Sequence, residues 1–591
     1  MLARLDLLGE RERRLLQVAS VFGRTFRPEG LHAIAPEVDG RQPELVDALM
    51  ARDLVRRQDA DHLVFRHILI RDVAYSTLPR AERSRLHAAA GDWFVSRAAG
   101  REEEVAEIIA LHFREALHSA GARSPASADL RRKAGAWLLR AGEMAASAAA
   151  SREAEAHLRA ALECVDDPDA AAEIWMRLGE VFQLFPSSFE AYQHAFTLAR
   201  DPARRLASIA GLLLSGMRFA RVDFSMEQIQ AAIDEGSSLI DAVKDTTLEV
   251  RFRAGVGFQT NWALARGVRL SESAFRVCEQ SAARAVELAR SVDQPELISV
   301  ALDAAGSCAM YRLDWRTVLA NAETRRAYGS RLALVEIMDA DHVMCWASTV
   351  LGDPRTAARV NEATSARLRP GQLPEWRLST LCWRLRIHYT LGRWDDASES
   401  IDQALAAWRQ LGSPALGWVR VGFRPGVLIA RGRLDASRSE AMTSAFRAAM
   451  GMTERVPYDV ALLDEDLDAM QRSVPGVVHQ GFGAPIIADA LRQLVDAGTD
   501  CTPLVAELPE VHRRLPVVAP HVARALGMAA LDVDQLRAAL DLARQVSDVP
   551  LTARLLVEVG RLANDAALVE EGRAALVGMG DLRQLERYRL S

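Results

Sequence analysis

The chain has 591 residues, of which 49% are hydrophobic and 26% charged, and its formal net charge at pH 7 is −6. A chain of this length exceeds what one hydrophobic core organises, so we expect several domains or a repeat array. The weakly acidic balance gives no electrostatic basis for binding nucleic acid or an anionic membrane surface.

The sequence offers no targeting signal and no disulfide pattern. Residues 1–6 already include the charged side chains of Arg4 and Asp6, and they contain no apolar signal core. No window approaches the ~20 consecutive apolar residues that a membrane span needs. The six cysteines include no Cys-x-x-Cys pair, which argues against zinc and disulfides. We therefore expect a cytoplasmic protein without membrane contact; its cysteines are Cys164, Cys278, Cys308, Cys345, Cys382 and Cys501.

The first 80 residues predict three helices and a β-hairpin. Apolar residues at helical spacing mark a helix over 10–22, and Pro28 and Pro43 each suit the first turn of another. Two strand-like runs around a polar turn predict a hairpin over 54–65. Three helices and a hairpin make a winged-helix domain over 1–80.

Winged helices often bind DNA, so the charge of this region matters. Residues 1–100 contain sixteen arginines and fourteen acidic residues, and Arg52 on the third helix is surrounded by Glu44, Asp47 and Asp53. A DNA-reading face concentrates positive charge. We therefore expect no nucleic-acid partner, and a DNA-binding transcriptional regulator remains an alternative interpretation.

The segment Phe-Arg-His-Ile-Leu-Ile-Arg-Asp-Val-Ala-Tyr, residues 65–75, begins with the last residue of the predicted hairpin. Apolar residues at positions 70, 73, 74 and 78 predict a helix with one buried face. His67 lies at the start of this helix, where an imidazole can reach an anion approaching from outside the domain. The alternative is a partly buried histidine that packs against the helix end.

This segment resembles the end of the winged-helix domain in signal-transduction ATPases with numerous domains (STAND proteins). The resemblance is to the bacterial branch linked to adenylate or guanylate cyclases and large transcriptional regulators. Plant and animal relatives read Met-His-Asp followed by Leu-Leu-Arg-Asp-Leu-Ala. Here His67 matches the histidine and residues 71–74 follow in register, whereas Arg66 replaces the methionine and Ile68 the aspartate. The bacterial branch commonly reads Phe-Arg-His.

The resemblance implies a nucleotide switch. The family's histidine contacts the phosphate of ADP held by a neighbouring ATPase domain, which implies His67 and Arg66 as nucleotide contacts. Relatives carry that domain directly before the winged helix, and this chain opens at the linker between the two. We therefore expect a C-terminal fragment, a mis-assigned start, or a protein that lost its motor. ATP or ADP would bind only through an ATPase domain joined to the chain or supplied by a partner.

A histidine-containing stretch lies in the connecting helices over 81–125. His112-Phe-Arg-Glu-Ala-Leu-His118 is not a His-Glu-x-x-His motif, and its spacing spreads the side chains around a helix. We expect ordinary helix surface here and no metal site. A linker follows over 121–128, where Gly, Ser and Pro are frequent.

Residues 126–420 repeat with the interval of tetratricopeptide units. Gly142 and Gly179 are 37 residues apart, at positions where a small residue lets paired helices approach closely. Cys308, Cys345 and Cys382 follow the same interval. Helix–turn–helix units of this kind stack into an α-solenoid whose inner surface is a natural binding groove.

Eight of the eleven tryptophans lie between residues 262 and 418. They predict either an aromatic groove for a ligand or partner, or the ordinary packing between repeat helices. The groove hypothesis names Trp315, Trp346, Trp383 and Trp394. Because Trp315 and Trp394 lie in hairpin turns, we expect those two to be the most accessible.

The repeat pattern loosens after residue 420. Gly and Pro interrupt it at 422–426, 474–476 and 479–485, where we expect turns, and helical pairs resume from Pro485. The expected fold is mainly all-α, with a winged helix (1–80), connecting helices (81–125), a tetratricopeptide-like α-solenoid (126–420) and less regular C-terminal helical repeats (421–591).

The sequence contains no phosphate loop, nucleophile elbow, zinc-protease motif or recognisable cyclase metal site, so we expect no enzyme. The function that the resemblance implies is a regulatory and sensor arm whose solenoid binds an inducer or a protein. The alternative is a freestanding repeat adaptor that only binds protein.

Overall fold

In the computed structural model the chain is mainly helical, as the sequence predicts. The structure describes residues 8–38, 43–98, 100–121, 127–148, 150–182, 186–218, 223–451, 457–480 and 483–590. The expected linker over 121–128 lies largely outside the described residues. The chain divides into two compact units, residues 1–182 with 194–201, and 183–193 with 202–591. No described helix combines the length and apolarity needed to cross a lipid bilayer.

The first unit begins with the winged helix. Its core collects the apolar faces of the first helices and the inner side of the sheet, including Leu15, Leu31 and Phe65. The elements are α1 (Glu10–Ser20), β1 (Thr25–Phe26), α2 (Pro28–Ile34), α3 (Pro43–Ala51), β2 (Val55–Arg57), β3 (Leu63–Phe65) and α4 (Ile68–Ser76).

The hairpin belongs to a three-stranded antiparallel sheet. β2 pairs with β3 so that Val55 faces Phe65, and β1 pairs with the other edge of β3 so that Thr25 faces Val64. Strand β1 was not predicted, because two residues are too few to show an alternating pattern. The tight turn is closed by Asp59, whose Oδ1 accepts the backbone N–H of His62 at 2.9 Å.

Antiparallel helices complete the first unit. Close packing between them depends on small residues: a side chain at Gly91 would collide with Phe113, and one at Gly142 would collide with Leu158. The helices are α5 (Arg80–Arg97), α6 (Glu102–Ala120), α7 (Ser127–Ser147), α8 (Ser151–Leu162) and α9 (Pro168–Val181), and α10 (Pro186–Leu198) contributes residues to both units.

The second unit begins with a run of stacked helical pairs. They are α11 (Pro202–Met217), α12 (Met226–Val243), α13 (Thr246–Gly257), α14 (Gln259–Arg266), α15 (Glu272–Val292), α16 (Pro295–Tyr311), α17 (Trp315–Ala327), α18 (Leu334–Val350), α19 (Pro354–Arg367), α20 (Pro374–Thr390), α21 (Trp394–Gln410), α22 (Arg420–Gly432) and α23 (Ala436–Met450).

The 37-residue interval marks equivalent positions in this stack. Cys308, Cys345 and Cys382 are buried in α16, α18 and α20. Gly422, 40 residues after Cys382, lies in α22 so close to α20 that an added Cβ would be 2.4 Å from the Cα of Cys382. The expected turn at 422–426 is therefore wrong: these residues form helix, with Pro425 inside it.

Shorter helices complete the second unit. They are α24 (Pro457–Asp464), α25 (Leu467–Ser473), α26 (Gly483–Asp496), α27 (Thr502–Glu507), α28 (Glu510–Arg513), α29 (Ala519–Ala530), α30 (Val533–Gln545), α31 (Val549–Leu562), α32 (Ala566–Met579) and α33 (Leu582–Arg587). The turn expected at 474–476 is a short 3₁₀ helix. The turn expected at 479–485 includes residues 481–482, which lie outside the described residues.

The C-terminal helices pack against the turns of the earlier pairs within this unit. Gly352, in the turn before α19, lies beside Val546, and Gly392, in the turn before α21, lies beside Val549 and Met579. The backbone N–H of Val517 donates to the carbonyl of Val350 at 3.2 Å. One hydrophobic cluster therefore contains residues from both parts of the unit.

Candidate functional site

His67 is the residue immediately before α4, and its side chain is exposed. Its backbone is extended (φ −139°, ψ 142°), and its carbonyl accepts the N–H of Ile70 at 3.0 Å. The imidazole does not cap the helix. Because the ring neither packs in the core nor serves as a cap, the burial alternative is wrong and the ring is accessible to an external group.

The neighbours of His67 are also on the surface. Arg66 is exposed and forms an ion pair with Asp53, with 3.2 Å between Nε and Oδ1. On the other side, Ile68 and Leu69 are 44% and 51% exposed. Two adjacent exposed apolar side chains beside a histidine and an arginine form a mixed surface, which we call the His67 surface (residues 66–69).

Arg71, the second arginine of the motif, has an internal role. Arg71 donates from Nε to the carbonyl of Ser20 at 2.8 Å, and its guanidinium lies 4.8 Å from the ring centroid of Tyr75. This contact ties α4 to the end of α1. Arg71 therefore fixes the orientation of the helix that carries the His67 surface.

Two buried histidines lie behind α4. The Nδ1 atoms of His87 and His112 are 3.0 Å apart, and Nε2 of His87 lies 2.9 Å from the hydroxyl of Tyr75. Burial lowers the pKa of His87 to about 3 and the pKa of His112 to about 4, and the nearby His112, Arg71 and Arg83 also lower that of His87.

The expectation that His112 belongs to an ordinary helix surface is wrong, because it faces the core from α6. The spacing within one helix could not reveal this pair, since its partner is on α5. The described residues contain no group of three or more histidine, cysteine or acidic side chains arranged to hold a metal ion.

The tryptophans named for a groove are packed in the second unit. Trp315 and Trp394 are only 3% and 2% exposed, so the expected accessibility of both is wrong. Each begins the second helix of a pair and turns inward: Trp315 lies 5.6 Å from Trp346, and Trp394 lies 6.2 Å from Tyr389, between ring centroids. Trp383 is also buried, and Trp346 is partly buried. These contacts match the packing interpretation.

A buried ionic cluster links distant parts of the second unit. Arg218 bonds to Asp303, Glu336 and Asp339 at 2.7–2.8 Å, and Arg325 contacts the same three carboxylates at 2.5–3.3 Å. Burial raises the pKa of Asp303 to about 6 in spite of both guanidiniums. Sequence spacing could not reveal this cluster, because Arg218 and Glu336 are 118 residues apart.

No family model and no curated protein matches the chain. Among solved structures, a STAND protein with a tetratricopeptide repeat sensor from Pyrococcus horikoshii is similar over 78% of this chain, at 13% identity and a TM-score of 0.43. This chain covers 65% of that protein, less than two thirds of its length.

Two further solved structures are similar over part of the chain. A Rap protein complexed with competence and sporulation factor aligns over 69% of this chain and 99% of its own, at 11% identity and a TM-score of 0.38. Yeast Tom70 aligns over 76% and 96%, at 12% identity and a TM-score of 0.27. All three TM-scores are below 0.5, so the assignment of a mainly helical repeat fold rests on the chain's own helices.

Proposed function

We propose that this chain is a non-catalytic regulatory arm of a STAND-type nucleotide switch. In this role the winged helix contacts the phosphate of a nucleotide held by an ATPase domain, and the helical repeats bind an inducer or a protein partner. The ATPase domain is either joined to the chain or supplied by another chain. Binding at the repeats then changes how firmly the winged helix holds the nucleotide-bound state.

The observation that carries this proposal is the exposure of His67 at the start of α4. An imidazole beside the first free amides of a helix is well placed for a phosphate oxygen. Arg66 adds a positive charge next to it. The exposed Ile68 and Leu69 supply apolar area that an adjoining domain would cover.

The first test replaces the imidazole. The chain is joined after a STAND ATPase domain, and release of fluorescently labelled ADP is compared for the wild type and His67→Ala. We expect release to accelerate roughly tenfold to a hundredfold, because a hydrogen bond to a charged group contributes about 1.5–3 kcal/mol. His32→Ala is the matched control, since His32 is an exposed histidine elsewhere in the winged helix. Equal release from all three proteins contradicts the proposed role of His67.

The second test concerns the apolar part of the His67 surface. Leu69→Asp should weaken association of the chain with a separately produced ATPase domain, because it places a charge where apolar area is to be covered. Leu111→Asp on α6 is the control, since Leu111 is 44% exposed and lies outside this surface. Sedimentation velocity measures both. An equal effect of the two substitutions contradicts docking at this surface.

A further inference from the structure

A cavity of about 350 Å³ lies within the second unit, where the C-terminal helices meet the earlier pairs. This volume is in the range of small-molecule sites. Its wall combines side chains from α20, α21, α22, α25, α26, α31 and α33. The charged members of the wall are Arg431, Glu465, Arg492, Asp496, Arg554, Asp581, Arg583 and Arg587.

The carboxylates in this wall already have cationic partners. The carboxylate of Asp496 accepts hydrogen bonds from Nε of Arg554 at 2.8 Å and from Nη1 of Arg587 at 3.0 Å. The carboxylate of Asp581 accepts a hydrogen bond from Nη2 of Arg554 at 3.0 Å. The third carboxylate, on Glu465, lies within 3.3 Å of two guanidiniums, those of Arg431 and Arg583. None of the three therefore attracts a cationic ligand.

The ion pairs continue behind the wall and leave an excess of positive charge. Around the cavity, seven arginines stand against six carboxylates. The arginines are Arg386, Arg431, Arg492, Arg524, Arg554, Arg583 and Arg587, and the carboxylates are Glu465, Asp489, Asp496, Asp548, Glu558 and Asp581.

The buried groups of this network that lack a hydrogen-bond partner are likewise donors and not acceptors. Buried N–H groups without a partner occur at Nε of Arg386, Nε of Arg492 and Nη1 of Arg524. No buried oxygen of the six carboxylates, all in the described part of the chain, lacks a donor. Of these three side chains only Arg492, which is 4% exposed, lines the cavity. A buried donor without an acceptor is costly, so Arg492 favours an added acceptor at this wall.

Apart from Gln493 and Gln584, the rest of the wall is apolar and aromatic. Tyr389 and Trp394 contribute rings, and Leu428, Met470 and Pro550 contribute aliphatic surface. Aromatic side chains offer a large contact area at a low cost in conformational entropy. The cavity therefore pairs a surplus of guanidinium donors with a surface for a hydrocarbon body.

We propose that this cavity binds a small organic carboxylate with an apolar or aromatic body. Arg583 and Arg587, the more exposed guanidiniums of the wall, receive the carboxylate, and the partly buried Leu428 and Leu467 contact the body of the ligand. This site belongs to the second unit by itself. It stands whether or not the chain works with an ATPase domain, and the test below needs no nucleotide.

The test uses isothermal titration calorimetry on the full chain with 3-phenylpropionate. We expect saturable binding that is at least tenfold tighter than that of the uncharged 3-phenylpropanamide, because the amide cannot pair with a guanidinium. Acetate tests the apolar wall and should bind at least tenfold more weakly than 3-phenylpropionate. Equal affinity of the acid and its amide overturns the proposal.

Substitutions locate the binding. Arg583→Gln and Arg587→Gln should each weaken 3-phenylpropionate at least tenfold, whereas Arg573→Gln should change its affinity less than twofold. Arg573 is a matched control, because its side chain is 40% exposed and pairs with Glu570 away from the cavity. Arg583 is 51% exposed and pairs only at the surface, so its variant decides the question if Arg587→Gln does not fold. Unchanged binding in Arg583→Gln overturns the proposal.

A carboxylate of this kind occurs in free metabolites and at the end of a peptide. A tripeptide ending in phenylalanine, with a free or amidated C-terminus, distinguishes the two sources. Preference for the free peptide over 3-phenylpropionate assigns the site to peptide termini, and the reverse order assigns it to small acids. Failure of both to bind at millimolar concentration overturns the proposal.

Discussion

His67 and the pair His87–His112 show how position determines the behaviour of the same side chain. The ring of His67 lies on the surface at a helix start, where it is free to meet a partner. The other two rings are enclosed, and Phe94 stacks on His112 with 5.4 Å between ring centroids. Enclosure favours the neutral form, so the pair resists protonation.

The buried pair predicts an acid-sensitive first unit. The pKa values are depressed to about 3 and 4 in the folded chain, against about 6.5 when unfolded. As the pH falls below 6.5, the unfolded state therefore binds protons first, and stability is lost progressively down to pH 4. Each histidine contributes a slope of up to about 1.4 kcal/mol per pH unit. Urea midpoints measured by circular dichroism between pH 4.5 and 7.5 test this.

Variants separate the pair from the other titrating groups. His112→Leu should reduce the slope by about the contribution of one histidine, whereas His118→Leu should leave it unchanged, because His118 is exposed on the same helix. Charged groups facing the pair are Arg71 and Arg83, which remain in both variants. The same slope in His112→Leu and the wild type would contradict the assignment.

At the level of elements, one turn recurs through the second unit. A residue with left-handed backbone precedes an aspartate, and that aspartate caps the next helix. In the turn before α30, the N–H of Asp532 donates to the carbonyl of Gly527 at 2.9 Å, and its carboxylate accepts the N–H of Gln535 at 3.1 Å. The capping aspartates are Asp245, Asp314, Asp353, Asp435, Asp466, Asp532, Asp548, Asp565 and Asp581.

Because the residue before each capping aspartate has left-handed backbone, a glycine at that position should stabilise the chain. Leu531 has φ +52° and is 64% exposed, so its side chain is strained and makes few contacts. Leu531→Gly should raise the free energy of unfolding by up to about 1 kcal/mol. Val577→Gly, at an exposed position inside α32, should lower it by roughly 0.5–1 kcal/mol instead. Thermal unfolding compares the two, and destabilisation by Leu531→Gly would contradict the argument.

Gly422 lies where α20 and α22 approach closely, so replacing this glycine should destabilise the chain. An added Cβ at Gly422 would meet the backbone of Cys382 at 2.4 Å, and backbone cannot move aside as a side chain can. Gly422→Ala should therefore cost about 3 kcal/mol. At Gly306 in α16 the nearest atom is 3.9 Å away, so Gly306→Ala should be neutral or stabilising by up to about 1 kcal/mol. Chemical denaturation measures both.

The elements were predictable where a single period extends over many residues. Helical spacing correctly predicted α1 and the helix after His67, and the repeat interval marked Cys308, Cys345 and Cys382. The Gly and Pro residues at 422–426 were misread as a turn, because glycine here serves close packing and α22 accommodates Pro425. Local composition does not distinguish these two uses of glycine.

At the level of the whole molecule, contacts between distant residues determine what the sequence could not predict. The packing of the C-terminal helices on the turns of the second unit joins residues such as Gly392 and Met579, almost two hundred positions apart. The cavity and its ion pairs exist only because of that packing. Periodicity predicts which face of a helix is buried, but it does not name the element that covers it.

The packing of α32 on the turn before α21 predicts coupled opening of the two regions. Met579 is 3% exposed, and an added Cβ at Gly392 would be 2.8 Å from its sulfur. Met579→Ala leaves a cavity at this junction and should cost about 2–5 kcal/mol. Hydrogen exchange should then accelerate in α20 and α21, although the substitution lies in α32, because the lost contacts are those that hold the turn.

A second core substitution separates this coupling from general destabilisation. Leu551 is fully buried in a separate cluster, whose buried members lie on α30 and α31 and against which Leu568 of α32 also packs. Leu551→Ala should therefore accelerate exchange mainly in α30 and α31, and less in α20 and α21 than Met579→Ala does. Greater acceleration in α20 and α21 with Met579→Ala than with Leu551→Ala supports a direct contribution of α32. Equal acceleration with both variants would instead mean that the second unit opens only as a whole.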